Sequence, residues 1–117
     1  MNVNDLVVSL EKITQTRSYI ERLEIVDQSV NIIKARLFIN PEIFVQIYRN
    51  DMFNTTNFAL IINRQRIYGR DQLGGIWHRH QVTNPEIHDK SIMGKKGVTL
   101  EDFIDEIEEI LTDMELP

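Results

Sequence analysis

The chain has 117 residues, 42% of them hydrophobic, no cysteine and a formal net charge of -5. That is enough apolar material for one core, so a single domain over 1–117 is expected, and the missing thiols exclude disulfides, thiolate metal sites and cysteine nucleophiles. The opening MNVNDLVVSLEK has no basic n-region and only a short, interrupted apolar run. Neither a signal peptide nor a membrane span is therefore expected there, and the protein reads as soluble and cytoplasmic.

Leu6, Val7, Leu10 and Ile13 recur at helical spacing and predict an amphipathic helix from Asn4 to Thr16, with Asn4 as its cap. The period then changes to two. SYIERLEIVDQSVNIIKARLFI reads as two strands turning near Asp27 to Ser29, with Leu23 and Ile25, then Ile33, Ala35, Leu37 and Ile39, on one side. NPEIFVQIYRND adds a third strand with Ile43, Val45 and Ile47 together, and NFALIIN and RIYGRD add a fourth and fifth around a turn at Asn63 to Gln65. GIWHRHQ follows as a sixth strand or a stiff extended loop, after a Gly74-Gly75 turn that needs positive φ. From Thr83 to Gly97 a proline, two glycines and weak periodicity predict the longest irregular stretch.

The last element is the clearest. In VTLEDFIDEIEEILTDM the residues Leu100, Phe103, Ile104, Ile107, Ile110, Leu111 and Met114 share one helical face, and Thr99 with Asp102 has capping-box spacing. From Thr99 to Pro117 there are eight acids and no base, leaving 13 bases and 10 acids in the rest of the chain, a net of +3. The order of elements predicts an α+β fold: a curved antiparallel β-meander of five to six strands flanked by an N-terminal and a C-terminal amphipathic helix on one face. The apolar stripe of the last helix is about what one sheet buries, which leaves a homodimer open.

The chemistry concentrates in GGIWHRHQ, which holds the only tryptophan and two of the three histidines. On a strand His78 and His80 project to one face with backbones about 7 Å apart. They can divide general-base and general-acid roles on a phosphodiester, with Arg79 or Arg70 balancing the charge of the phosphorane. They can instead hold a metal with His88 or Asp71 as third ligand, or lie on a solvated face while Ile76 and Trp77 pack. Arg64, Arg66, Arg70 and Arg79 fall within sixteen residues containing the single acid Asp71, with Tyr68 and Trp77 interleaved. Guanidinium groups beside aromatic rings grip single-stranded nucleic acid, although the same arginines can pair with the acidic last helix. YGRDQLGG lacks the phosphate-loop pattern, and GKKG at Gly94 to Gly97 reads as a basic turn.

The stretch INRQRIYGRDQLGGIWHRHQVTNPEIH, followed by TLEDFIDEIEEIL, resembles the TumE-type toxin family of prokaryotic toxin–antitoxin systems. The matching positions are Arg70 and Asp71, then Gly75, Trp77, His78 and His80, then Pro85 and His88. The chain departs from many relatives in offering only His88 where they carry a second histidine group. The resemblance implies a growth-inhibiting toxin neutralised by a co-encoded helix-turn-helix antitoxin. The reading taken forward is a toxin-like protein that cleaves or binds RNA, or another phosphate-bearing substrate, without a metal or cofactor. In it His78, His80 and Arg79 are catalytic and Arg66, Tyr68, Arg70, Asp71, Trp77 and His88 contact substrate. The alternative is a non-enzymatic interaction module that uses Trp77 and the arginine-rich strand to recognise a protein partner.

Overall fold

The first helix begins where a side chain can cap it. In the computed structural model, which describes residues 1–82, the backbone of 84–89, and 97–115, the Asn2 side chain accepts from the Asp5 N–H at 2.8 Å and α1 runs Val3–Thr16. The cap lies ahead of the expected Asn4 because the earlier start brings Val3 into the buried stripe with Leu6, Leu10 and Ile13. It also lets the Val3 N–H, one of the donors a helix start leaves over, reach the Asp51 carboxylate at 3.0 Å. The second helix, α2 (Leu100–Asp113), opens with the expected capping box: Thr99 Oγ1 accepts from the Asp102 N–H at 3.1 Å, and the Asp102 carboxylate accepts from the Thr99 N–H at 3.0 Å.

Between the helices lie β1 (Arg22–Gln28), β2 (Ile32–Asn40), β3 (Ile43–Asn50), β4 (Thr55–Ile62), β5 (Gln65–Leu73), β6 (Ile76–Gln81) and β7 (Asn84–Asp89). They pair antiparallel in sequence order as one seven-stranded sheet. The α+β meander with its two terminal helices is thus the architecture, and GIWHRHQ is a strand. Beyond the six expected strands, β7 joins the edge of the sheet in part of the stretch expected to be irregular. Asn84-Pro85 suggested a break there, yet a proline near the start of a terminal strand need not donate to the ladder. The GKKG motif, apart from Gly97, lies outside the described residues.

Two hairpins are made by two-residue turns with left-handed backbone, at Asn63 and Arg64 (φ 50° and 68°) and at Gly74 and Gly75 (φ 56° and 88°). Positive φ at both central positions matches the twist of the flanking strands, and glycine adopts it without penalty. Register then sorts side chains onto two faces. Ile33, Ala35 and Leu37 of β2, Val45 and Ile47 of β3, and Phe58 and Leu60 of β4 form one core with Leu6, Leu10 and Ile13 of α1 and Phe103, Ile104 and Ile107 of α2. Each such fully buried aliphatic or aromatic side chain contributes about 1.5–3 kcal/mol. Both helices therefore cover the same face.

Two of the acids of α2 are met from the end of α1 and the residues after it. Arg17, at the end of α1, donates to Asp105 at 3.2 Å and Glu108 at 3.1 Å, and the Tyr19 hydroxyl donates to Glu108 at 2.6 Å. Burial, then the neighbouring Glu108 carboxylate, pushes the Tyr19 phenol well above its ordinary range. No helix of the described residues is long and apolar enough to cross a membrane.

Candidate functional site

Strand β5 carries Arg70 and Asp71 side by side, and a strand sends consecutive side chains to opposite faces. Asp71 therefore points away from the helices, onto the face that also receives His78 and His80 of β6. Register makes His78 the partner of Asp71 and His80 the partner of Gly69. The Asp71 carboxylate gathers three neighbours: Oδ1 accepts from Asn57 Nδ2 at 2.6 Å and from Arg66 Nη2 at 2.8 Å, and Oδ2 lies 2.9 Å from His80 Nε2. Asp71 and His80 are only 6% and 5% exposed, so the carboxylate is sustained by these partners rather than by water. His78 is half-buried beside them.

Arg66 reaches this position because β5 has no side chain at residue 69. A Cβ on Gly69 would collide with the Arg66 guanidinium, approaching Nε at 2.7 Å and Cζ at 2.8 Å. The bulge between Leu60 and Ile61 in the β4–β5 ladder sets Arg66 on the same face as Asp71. The Arg66 side chain remains 32% exposed, and its Nε is buried with no acceptor among the described residues. The cluster thus brings together a carboxylate and an imidazole in close contact, a second imidazole and a partly exposed guanidinium. Such a set can move protons and balance developing negative charge.

The other expected site residues lie on the opposite face. Arg70 is 2% exposed and grips Glu106 of α2 with both ends of its guanidinium, Nε to Oε1 at 3.0 Å and Nη2 to Oε2. Burial alone would lower the Arg70 pKa, but the hydrogen bond and charge of Glu106 together with Tyr68 outweigh it and the pKa rises. Tyr68 stacks on Phe103 with centroids 5.8 Å apart, and burial followed by the Glu106 charge pushes its phenol up to about 12. Trp77 is 9% exposed and packs on Phe58 at 6.2 Å, so the surface tryptophan of the interaction-module reading is in fact part of the core. Arg79, the register partner of Arg70, lines a groove of about 490 Å³ with Tyr68, Glu106 and Glu109. The pairing of His78 and His80 with Arg70 and Arg79 in one centre is corrected accordingly, since the sheet stands between them. Arg66 is the arginine that joins the histidines. The His88 side chain lies outside the described residues.

Asn57 and Gly69 are members of the cluster that sequence reasoning missed. A lone glycine inside a strand is a sign of close approach by another group, so Gly69 carried a usable signal. Asn57 carried none before the β4–β5 register was known.

A second polar cluster lies on the helix side. Arg49, 5% exposed, donates from Nε to Asp51 at 2.8 Å and from Nη1 to Asn54, Thr56 and Gln72 at 3.0, 3.0 and 3.1 Å. It ties the β3–β4 turn to β5 and reads as a structural staple. Among the described residues no group of three His, Asp or Glu side chains is placed to hold a metal ion. Comparison with protein-family models, with curated proteins and with solved structures finds no match to this chain.

Proposed function

We propose that the face away from the helices carries an acid–base site acting on the phosphodiester backbone of RNA. The observation that supports this reading most is the Asp71 carboxylate, buried and holding Arg66, Asn57 and His80 with His78 next to it. Asp71 lies 2.9 Å from the His80 imidazole, placed to orient it as a carboxylate does where an imidazole must present one nitrogen to a substrate. Histidine is the side chain that trades protons near neutral pH, so two of them suffice for a transesterification. One imidazole takes the proton of the ribose 2′-hydroxyl, O2′ bonds to phosphorus, the P–O5′ bond breaks and the other imidazole protonates O5′. Arg66 lies where it can offset the charge that accumulates on the phosphoryl oxygens.

In the cell this reading corresponds to a growth-inhibiting, cytoplasmic toxin held in check by a helix-turn-helix antitoxin, as the family resemblance implies. The test is cleavage of single-stranded RNA by the purified chain, together with growth on induction. His80→Ala and His78→Ala are each expected to lower cleavage by about 10²–10⁴-fold and to relieve growth inhibition while the fold is retained. Folded variants that cut RNA and inhibit growth as the parent does would remove the assignment.

A further inference from the structure

The same face extends well beyond the histidines. Across β6, β5, β4, β3 and β2 one register row runs His80, Gly69, Ala59, Gln46 and Arg36, and the next runs His78, Asp71, Asn57, Tyr48 and Lys34. With strands about 4.8 Å apart, Arg36 lies about 19 Å from His80. Both described helices pack on the other side of the sheet, so this row is uncovered by either of them.

Two kinds of side chain occupy the far end. Phe44 and Tyr48 are half-buried aromatics on this face. Phe44 rests on Phe38 with centroids 5.1 Å apart, and the Arg36 guanidinium lies 5.6 Å from the Phe44 centroid. Arg36 and Lys34 are half-buried cations beside them. Arg36 has one weak pairing, Nη1 to Glu24 at 3.5 Å, and Glu24 is held more closely by Arg22 at 2.9 Å. The Arg36 Nε, like that of Arg66, has no acceptor among the described residues. The Arg36 and Arg66 guanidinium groups, on β2 and β5 of this same face and each about a third exposed, are suited to an anion repeated along a chain.

Charge is also segregated by the sheet. The eight acids from Thr99 onward belong to the α2 end of the chain, and α2 packs on the far side. On this face Asp71 is engaged by Arg66 and Glu24 by Arg22, and Asp27 is the register partner of Lys34. A polyanion is repelled from the helix side and accepted here. Aromatic rings flat enough to take a base, next to arginines, favour a strand whose bases are unstacked over a duplex, which would present only its phosphates.

We infer that the row from Lys34 and Arg36 past Phe44 and Tyr48 to His78 and His80 is a track for single-stranded RNA, on which bases stack on Phe44 and Tyr48 while phosphates meet Arg36 and Arg66. The inference rests on the acid–base reading of the histidine end, and it adds where the substrate lies and which form of nucleic acid is selected. The span of about 19 Å suits a segment of roughly four nucleotides, the small end of known single-strand site sizes.

The experiment is fluorescence anisotropy with a labelled single-stranded RNA of about twelve nucleotides and its duplex, using the His80→Ala protein so that the probe stays intact. Single-stranded RNA is expected to bind more tightly than the duplex. Phe44→Leu and Tyr48→Leu, which keep apolar volume but remove the ring face, are each expected to weaken binding about tenfold with an unchanged melting temperature. Arg36→Gln is expected to reduce the salt slope by about one. Equal affinity for duplex, or unchanged affinity in folded Phe44→Leu and Tyr48→Leu proteins, overturns the track. If the parent protein cleaves RNA with a KM that these two changes leave alone, the track fails and the acid–base site stands. If His80→Ala binds single strands through these residues but the parent cuts nothing, the acid–base reading fails and the track stands.

Discussion

Arg70 and Asp71 are adjacent in sequence, and each has an opposite charge close by, yet they sit in different surroundings. Arg70 faces the helices, where Glu106 takes it at two points, Phe103 and Tyr68 stack nearby and 2% of its surface is exposed. Asp71 faces away from them, where Arg66 reaches it through the gap at Gly69 and keeps 32% of its own side chain exposed. The first pair uses its geometry internally: a two-point fork locks α2 onto β5 and leaves little for a ligand. The second pair is more open, because the Arg66 side chain is 32% exposed and two imidazoles share its face. Access from solvent, rather than the presence of charge, separates the staple from the candidate site.

The largest expected effect tests the staple. Arg70→Ala leaves the Glu106 carboxylate against the sheet without its partner, and should cost about 3 kcal/mol in urea unfolding, the lower end for a broken buried pair because Glu106 is partly exposed. RNA cleavage per folded molecule should be unchanged. Arg70→Met combined with Glu106→Leu should recover most of the stability, since two apolar groups can replace a buried ion pair. A folded Arg70→Ala protein that loses cleavage would break the comparison. Next in size is Gly69→Ala, which acts on the other face. The added methyl displaces Arg66 from Asp71, with an expected fall in cleavage of about a hundredfold, the loss typical of one donor to a developing oxyanion. The stability cost should be about 2 kcal/mol, since the buried Asp71 carboxylate loses one of its partners while Asn57 and His80 stay beside it. Unaltered cleavage with Arg66 displaced would remove Arg66 from the site.

The fold was legible because its signals are local. Two helical stripes, period-two alternation and Asn/Gly turns each fall within a few residues, and Thr99 with Asp102 announced the α2 cap. The exceptions, Asn2 for Asn4 and β7 for an irregular stretch, were decided by contacts elsewhere: Asp51 holding Val3, and β6 offering an edge to β7. The candidate site was half legible. Spacing alone put His78 and His80 on one face. It could not assign the arginines, because Arg66, Arg70 and Arg79 sort to faces only through the β4–β5 bulge and the β5–β6 register. Trp77 drew attention as a rare side chain, but its position opposite Gln72 points it at Phe58 and the core. A one-residue shift of register would have exchanged these assignments, which is why composition could not settle them.

Asp51 extends the comparison to a third carboxylate, on the helix side just past the end of β3, where Arg49 also reaches Gln72, the neighbour of Asp71. Asp51 accepts from Arg49 Nε at 2.8 Å and from the Val3 N–H at 3.0 Å, joining the β3–β4 turn to the start of α1. Burial by itself raises its pKa, but the Val3 N–H and Arg49 together outweigh burial and the pKa falls below the ordinary carboxylate value. A carboxyl group with a lower pKa in the folded than in the unfolded chain stabilises the fold fully above its unfolded pKa. That contribution is lost as pH falls through the folded pKa. Asp51→Asn should therefore lower stability by about 1 kcal/mol at neutral pH, the scale of a charged hydrogen bond with partial solvent screening. The gap between parent and variant should close as thermal unfolding is followed from neutral pH down through the carboxylate range. Because Asp51 serves α1 and not the face proposed to take RNA, the proposed cleavage at pH 7 should be unaffected. A gap that widened in acid would mean that Asp51 does not act through its charge, and a loss of cleavage would mean that the two faces of the sheet are coupled.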